Sequence, residues 1–436
     1  MTGGAGVQPM RVVGWRCLVC AATVEIATPM PWRCPNSTDA DRHHALAIVN
    51  DETIAASTGT GPPAGSSFLH HDPDLAWAAY AAANGMDEPE RHALAGALDD
   101  AVAAVAGVGF HITPFARSDA LSDALGFTPE GGIWVKDETH AVAGSQKARH
   151  LFTILLHLRA AEQLGHLTER PRLAIASCGN AALAAATLAQ AANWPIDVYV
   201  PTWMSDGFGD ELDRLGATIH RCDRRAGDPP GDPAMHRFRQ AVAAGAIPFT
   251  VQGPENALAL DGGRTIGWEI GAQLADGERA LDAMYVQVGG GAFAASLGAG
   301  LHDLRPTTRL HAVQTEGCAP LERAWRLAPE TARDPATAGG QWSSLMYPWD
   351  DPQSAADGIL DDETYDWLAV FDAMRTTGGS PIVATESAVL AANQLARDAG
   401  FDVSVTGSAG LAGVLAASDR IDVTERIGVV MSGIAR

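Results

Sequence analysis

Leu173-Ala-Ile-Ala-Ser-Cys-Gly-Asn-Ala-Ala-Leu-Ala-Ala-Ala-Thr-Leu-Ala-Gln-Ala-Ala192, followed after Pro195 by Ile196-Asp-Val-Tyr-Val200, decides the architecture. A short apolar run, a turn of small residues, an alanine-rich helical stretch and a second branched apolar run make strand, helix and strand, the unit of a parallel sheet. The same alternation extends outward. Before it come a strand Ile133–Val135 and a helix from Ala148; after it a helix from Gly209 and a strand Ala217–His220. A second series has strands Met284–Val288, Arg309–Gln314 and Ile427–Met431, with helices from Ala292, Glu386 and Ala409. Two such series predict an α/β protein of two lobes, parallel sheets flanked by helices, with a cleft between them. Residues 222–232 and 328–357 read as loop-like insertions, and no internal repeat is evident.

The 436 residues contain 30 basic side chains, of which only Lys136 and Lys147 are lysines. Both lie in Trp134-Val-Lys-Asp-Glu-Thr-His-Ala-Val-Ala-Gly-Ser-Gln-Lys147. A chain that uses arginine wherever charge alone is wanted keeps lysine for chemistry a guanidinium cannot do. A deprotonated amine attacks a carbonyl and forms a Schiff base; arginine stays protonated. Compositional bias that happened to spare two lysines is the competing explanation.

The formal net charge of −22 excludes nucleic acid and anionic membrane surfaces as partners, since both demand clustered positive charge. No apolar run approaches the roughly 18 residues of a spanning helix, and the start, Met1-Thr-Gly-Gly-Ala-Gly6, lacks the pattern of a secretory leader, so a cytoplasmic protein with reduced thiols is expected. The domain division expected is a Cys-rich N-terminal segment over 1–54, a linker and helical lead-in over 55–110, and a two-lobed α/β core over 111–436. Within that core the smaller lobe spans roughly 140–250 and the larger lobe the remainder. The linker is the Ser/Thr/Gly/Pro stretch Ala55–Ser67, and the lead-in is the Ala-rich run Asp72–Val108.

Two turns carry anion-binding potential. Ser177-Cys178-Gly179-Asn180 precedes a helix, where free N–H groups and the positive dipole end suit a carboxylate or phosphate; Ser177 or Asn180 acting as a helix cap explains the same residues. Gly289-Gly290-Gly291-Ala292 lies between a strand and a helix, and its glycines permit either a phosphate cradle or a tight structural turn. It is neither a P-loop nor a dinucleotide fingerprint, because no Gly-Lys-Ser/Thr follows and the Gly spacing is wrong.

Cys17-Leu-Val-Cys20 and Cys34 supply three of the four ligands of a structural zinc site. Ser37 stands where a second Cys-x-x-Cys would close, so His43 or His44 must complete a Cys3His set, with His44 preferred. A metal-free remnant of such a site also accounts for the spacing.

Taken in order, the motifs resemble those of fold type II pyridoxal phosphate enzymes, the tryptophan synthase β type, nearest to threonine dehydratases and threonine synthases. The resemblance covers roughly 110–436. It rests on Lys136-Asp-Glu with Gly144-Ser145-Gln146-Lys147-Ala148-Arg149, on Ser177-Cys-Gly-Asn180, on Asp261-Gly-Gly-Arg-Thr265 with Glu269, on Gly289–Phe293, and on Ser432-Gly433. The segment around Cys17 and Cys20 is also similar to an N-terminal, zinc-ribbon-like piece of some threonine synthases. The resemblance implies that Lys147 is the Schiff-base lysine and the base for the α-proton. It implies that Asn180 meets the cofactor's phenolic oxygen, that Gly289, Gly290, Gly291 and Ala292 wrap its phosphate, and that Ser432 meets the ring nitrogen. Ser145, Ser177, Cys178 and Gly179 then face the substrate. A neutral hydroxyl at the ring nitrogen favours elimination or replacement over transamination.

The chain departs from the pattern at Gln146, where Phe is usual, at Cys178, at Ala141-Val-Ala143 and Ala148 around the lysine, and at Ile434-Ala-Arg436. No regulatory module is expected after Ser432. The expected activity is β-elimination from a small hydroxy amino acid such as L-threonine or L-serine through a Lys147 aldimine. The alternatives are threonine synthase-like replacement on O-phosphohomoserine and a non-catalytic binding protein that retains the fold. The resemblance also implies a homodimer.

Overall fold

A computed structural model describes residues 10–56, 66–274 and 279–436. Most of the linker Ala55–Ser67, and the first nine residues with the start Met1–Gly6, lie outside the described residues. The strands are β1 (Val12–Cys17), β2 (Thr23–Glu25), β3 (Leu46–Asn50), β4 (Phe115–Ser118), β5 (Gly132–Asp137), β6 (Leu173–Ala176), β7 (Ile196–Pro201), β8 (Thr218–Cys222), β9 (Ile247–Pro248), β10 (Ala283–Gln287), β11 (Arg309–Thr315), β12 (Pro381–Ala384) and β13 (Arg426–Met431).

They form three sheets, ordered β2-β1-β3, β8-β7-β6-β9 and β12-β11-β10-β13-β5-β4. The four-stranded sheet is wholly parallel. In the six-stranded sheet only the edge pair β4–β5 is antiparallel. Every residue of β6, β10 and β13 is buried, which is why these strands read as unbroken apolar runs rather than alternating ones. β5 lies in the larger sheet, between β13 and β4, although it precedes the smaller sheet in sequence.

The alanine-rich helix Asn180–Ala191 buries every residue from Ala181 to Ala189. Small side chains let it sit close to its neighbours from both sides. The Asp261–Glu269 motif lies within the helix Ala259–Gln273, whose glycines are contact points rather than breakers. A Cβ on Gly262 would lie 1.9 Å from the Arg149 carbonyl, and one on Gly300 would lie 2.1 Å from that of Arg264. The helices Lys147–Gln163, Ala259–Gln273 and Ala292–Leu304 therefore stack backbone to backbone. The reading of 328–357 as loop needs refinement, since the short helices Pro335–Gly339 and Trp342–Leu345 lie within it.

The antiparallel N-terminal sheet forms the zinc-ribbon-like segment. Its Val12, Trp15, Cys17, Cys34 and Leu46 join the same apolar core as Leu151, Leu188 and Trp268, so it is packed onto the body. No helix among the described residues is long and apolar enough to cross a membrane.

Candidate active site and metal site

Lys147 opens the helix Lys147–Gln163. Two backbone ties fix its position: the Gln146 N–H donates to the Ser432 carbonyl at 3.1 Å, and the Ile434 N–H donates to that of Gly144 at 2.9 Å. Ser145 and Gly433 are paired in an antiparallel bridge. The end of β13 thus brings Ser432 beside the lysine, across almost 300 residues of sequence.

Two residues further along the helix, Arg149 is buried and forks onto two carboxylates. Its Nε lies 2.9 Å from Glu138 Oε2 and its Nη1 2.6 Å from Glu269 Oε1. Lys136 completes the group, with Nζ 2.5 Å from Glu269 Oε2 and 2.7 Å from the Thr113 carbonyl. Arg149 and Lys136 hold the Glu269 carboxyl far below its ordinary range against the opposing effect of burial. The second lysine is therefore spent inside an ion cluster, and Lys147 alone is left for chemistry.

Lys147 is only partly buried. Burial lowers its pKa, opposed by Asp361 and then Asp366. Burial in turn raises Asp361 to about 6 and Asp366 to about 7, against the pull of Lys147. These two carboxyls come from Asp361-Asp-Glu-Thr-Tyr-Asp366, a strap that covers the glycine loop. A Cβ on Gly289 would lie 2.3 Å from Asp361 Oδ2, and one on Gly291 would lie 3.2 Å from Asp366 Cβ. The Asp366 N–H donates to the Gly290 carbonyl at 2.8 Å, and Asp366 Oδ2 accepts from the Gly253 N–H at 3.1 Å. The sequence reading missed both residues. Their signal is the acidic run itself, which resembles an ordinary solvated loop.

Other expected residues lie around the same junction, with Asn180 and Ser145 both close to Gly433. Ser177 Oγ accepts from the Gly179 N–H at 3.3 Å, and Asn180 begins its helix with Oδ1 accepting from Arg436 Nε at 3.2 Å. No side chain caps that helix. The Cys178 thiol is pushed up to about 11 by burial and by Asp232, Asp361 and Asp357, so it stays neutral. Gly291, with φ of +95°, leads directly into the helix Ala292–Leu304, an arrangement that turns N–H groups towards an anion.

These residues fit pyridoxal phosphate. Ser432 Oγ accepts from Gln287 Nε2 at 2.7 Å, which leaves the hydroxyl proton free for a ring nitrogen. Ser145 Oγ and Gln146 Oε1, next to the lysine, are buried without a hydrogen-bond partner. A desolvated amine, a free hydroxyl and a glycine loop heading a helix are the donor set such a cofactor needs.

The second site lies in the N-terminal sheet. The ligand atoms of Cys17, Cys20, Cys34 and His44 all fall within 4.8 Å of one another. Cys17 Sγ is 3.4 Å from His44 Nδ1, and Cys20 Sγ is 3.5 Å from Cys34 Sγ. Tetrahedral zinc with bonds of about 2.3 Å to sulfur asks for separations of about 3.5–4 Å, and the Val19 and Asn36 N–H groups point at the Cys17 and Cys34 sulfurs as well. The donor set fits zinc. His43 turns away, stacking on Trp342.

The profile of the pyridoxal-phosphate dependent enzyme family matches residues 108–433. The chain belongs to that family. No curated protein matches the sequence. Among solved structures, the family fold is shared with maize serine racemase (18% identity, 78% of this chain and 92% of that one, TM-score 0.58). It is also shared with a threonine deaminase from T.th. (22%, 78% and 98%, TM-score 0.58) and with a pyridoxal 5'-phosphate-dependent aspartate racemase (17%, 78% and 95%, TM-score 0.60). At these identities the likeness extends to the fold. The first 107 residues, with the Cys3His cluster, lie outside the family match.

Proposed function

We propose that this pyridoxal-phosphate dependent enzyme is a lyase that removes the β-hydroxyl of a small amino acid, L-threonine or L-serine, to yield a 2-oxo acid and ammonia. The observation that carries the reading is the packing of the Asp361–Asp366 strap on the glycine loop, with both carboxyls raised by burial and within electrostatic reach of Lys147. Dehydration needs a base for the α-proton and an acid for the departing hydroxyl. Lys147 Nζ, its pKa lowered by burial, is the base. Asp366, its pKa raised by burial to about 7, is the acid, and its protonated fraction gives the proton to the leaving oxygen.

The bound cofactor supplies the electron sink. Asn180 would meet its phenolic oxygen, Gly289, Gly290, Gly291 and Ala292 its phosphate, and Ser432 its ring nitrogen. The substrate carboxylate would lie at the Ser177–Gly179 turn, on the N–H groups that open the helix Asn180–Ala191, with Ser145 nearby.

Threonine synthase-like replacement on O-phosphohomoserine is the second reading. Phosphate release with formation of threonine from O-phosphohomoserine would favour it over the lyase. A non-catalytic binding role is disfavoured by Lys147, the lysine left outside the ion cluster, with a pKa lowered by burial. In the N-terminal segment, over residues 1–54, Cys17, Cys20, Cys34 and His44 would hold a structural zinc. Incubation of the holoenzyme with L-threonine and L-serine tests the reading: 2-oxo acid and ammonia in equal amounts support it, and their absence with both substrates refutes it.

A further inference from the structure

The strap that carries Asp361 and Asp366 touches the N-terminal sheet as well as the glycine loop. Trp367 follows Asp366 directly and opens the helix Trp367–Thr377. Its indole Nε1–H donates to His43 Nδ1 at 3.2 Å. His43 is covalently next to His44 and is clamped by Trp342, ring centroids 4.4 Å apart. A second contact runs alongside. Val19, between Cys17 and Cys20, and Leu368 close on Gly339 together, where a Cβ would lie 2.6 Å from Val19 Cγ2 and 3.3 Å from Leu368 Cδ1.

We propose that metal binding at Cys17, Cys20, Cys34 and His44 is coupled to cofactor binding at Lys147 through the His43–Trp367 hydrogen bond. Its steps are short: the His44–His43 peptide, one hydrogen bond, the Trp367–Asp366 peptide, and the Asp366 N–H on the Gly290 carbonyl. A ligated His44 fixes the backbone that presents His43, and His43 fixes the indole that sets Asp366 against the loop. His43 and Trp367 are positioning residues; neither touches the reacting atoms. The inference rests on zinc and pyridoxal phosphate occupying these residues and is independent of which reaction follows.

Coupling between two sites is reciprocal, so each ligand must tighten the other by the same factor. The dissociation constant of pyridoxal phosphate is read from its near-visible band on full-length apoenzyme, zinc-loaded and zinc-stripped. The zinc constant is read by chelator competition with and without pyridoxal phosphate. The expected result is a shared factor of about tenfold, lost in both Trp367→Phe and His43→Phe, which keep an aromatic ring in place and remove one end of the hydrogen bond. Should the stripped chain fail to fold, the zinc-loaded proteins decide: cofactor affinity about tenfold weaker in both variants supports the coupling, and unchanged affinity overturns it. A chain that takes up no zinc, or equal cofactor constants with and without zinc, also overturns it. Turnover plays no part in these readouts, so failure of the lyase reading would leave the result standing.

Discussion

The Gln146 N–H donates to the Ser432 carbonyl at 3.1 Å, which ties the residue before the reactive lysine to the last strand of the sheet. With the Ile434 N–H on the Gly144 carbonyl and the Ser145–Gly433 bridge, it holds Ser432 close to the start of the Lys147 helix. The proposed base opens a helix and the proposed ring-nitrogen partner directly follows a buried strand, so both sit at the ends of rigid elements.

Lys147→Ala removes the group proposed as base and covalent anchor. Turnover should fall by at least about 10³-fold, and the near-visible band of the bound cofactor should shift or vanish while far-UV circular dichroism stays unchanged. Turnover of a native substrate at the wild-type rate would contradict the role given to this residue.

Asp366→Asn tests the acid. The folded carboxyl has its pKa raised by burial to about 7, from an ordinary 3.8. Wild-type turnover should therefore decline as pH rises through about 7, and the variant should lose that limb with a loss of about 10²-fold. Stability follows the same sign. A raised carboxyl binds its proton more tightly in the folded state, so its contribution is complete below about pH 4 and is lost as pH rises through about 7, on the order of 4 kcal/mol in all. Above pH 8 the Asn variant should melt at a higher temperature than the wild type, and below pH 4 it should lose that advantage.

Much of this was legible in the chain. β6 matches its expected limits, and the helices from Ala292, Glu386 and Ala409 begin where expected, because buried parallel strands and alanine-rich helices leave strong local signals. The convergence of Lys147, Asn180, Gly289 and Ser432 was legible only through the family resemblance. β9 has two residues, and β12 sits among residues with no strong period, so neither was read. Asp361 and Asp366 escaped for a different reason. Their sequence resembles a surface loop, and only tertiary packing against three glycines turns the run inward.

Glu269→Gln leaves Lys136 and Arg149 buried with one fewer charge partner. Removing one member of a buried ion cluster costs about 3–5 kcal/mol. Chemical denaturation should show that loss as a lower midpoint. A midpoint within experimental error of the wild type would mean that the cluster does not anchor the Lys147 helix.

Gly289→Ala adds a methyl 2.3 Å from Asp361 Oδ2 and 2.9 Å from Ile359 Cα. Strap and loop must separate. Cofactor affinity should weaken by roughly tenfold or more, about 1.4 kcal/mol, measured by equilibrium dialysis. Unchanged affinity would show that the loop tolerates the strap's displacement.

The most direct measurement of the central claim is product analysis of the holoenzyme with L-threonine, L-serine and O-phosphohomoserine supplied separately. Threonine or serine should yield 2-oxo acid and ammonia in equal amounts, and the third compound should release no phosphate. Phosphate release with formation of threonine, and no ammonia from either hydroxy amino acid, would contradict it.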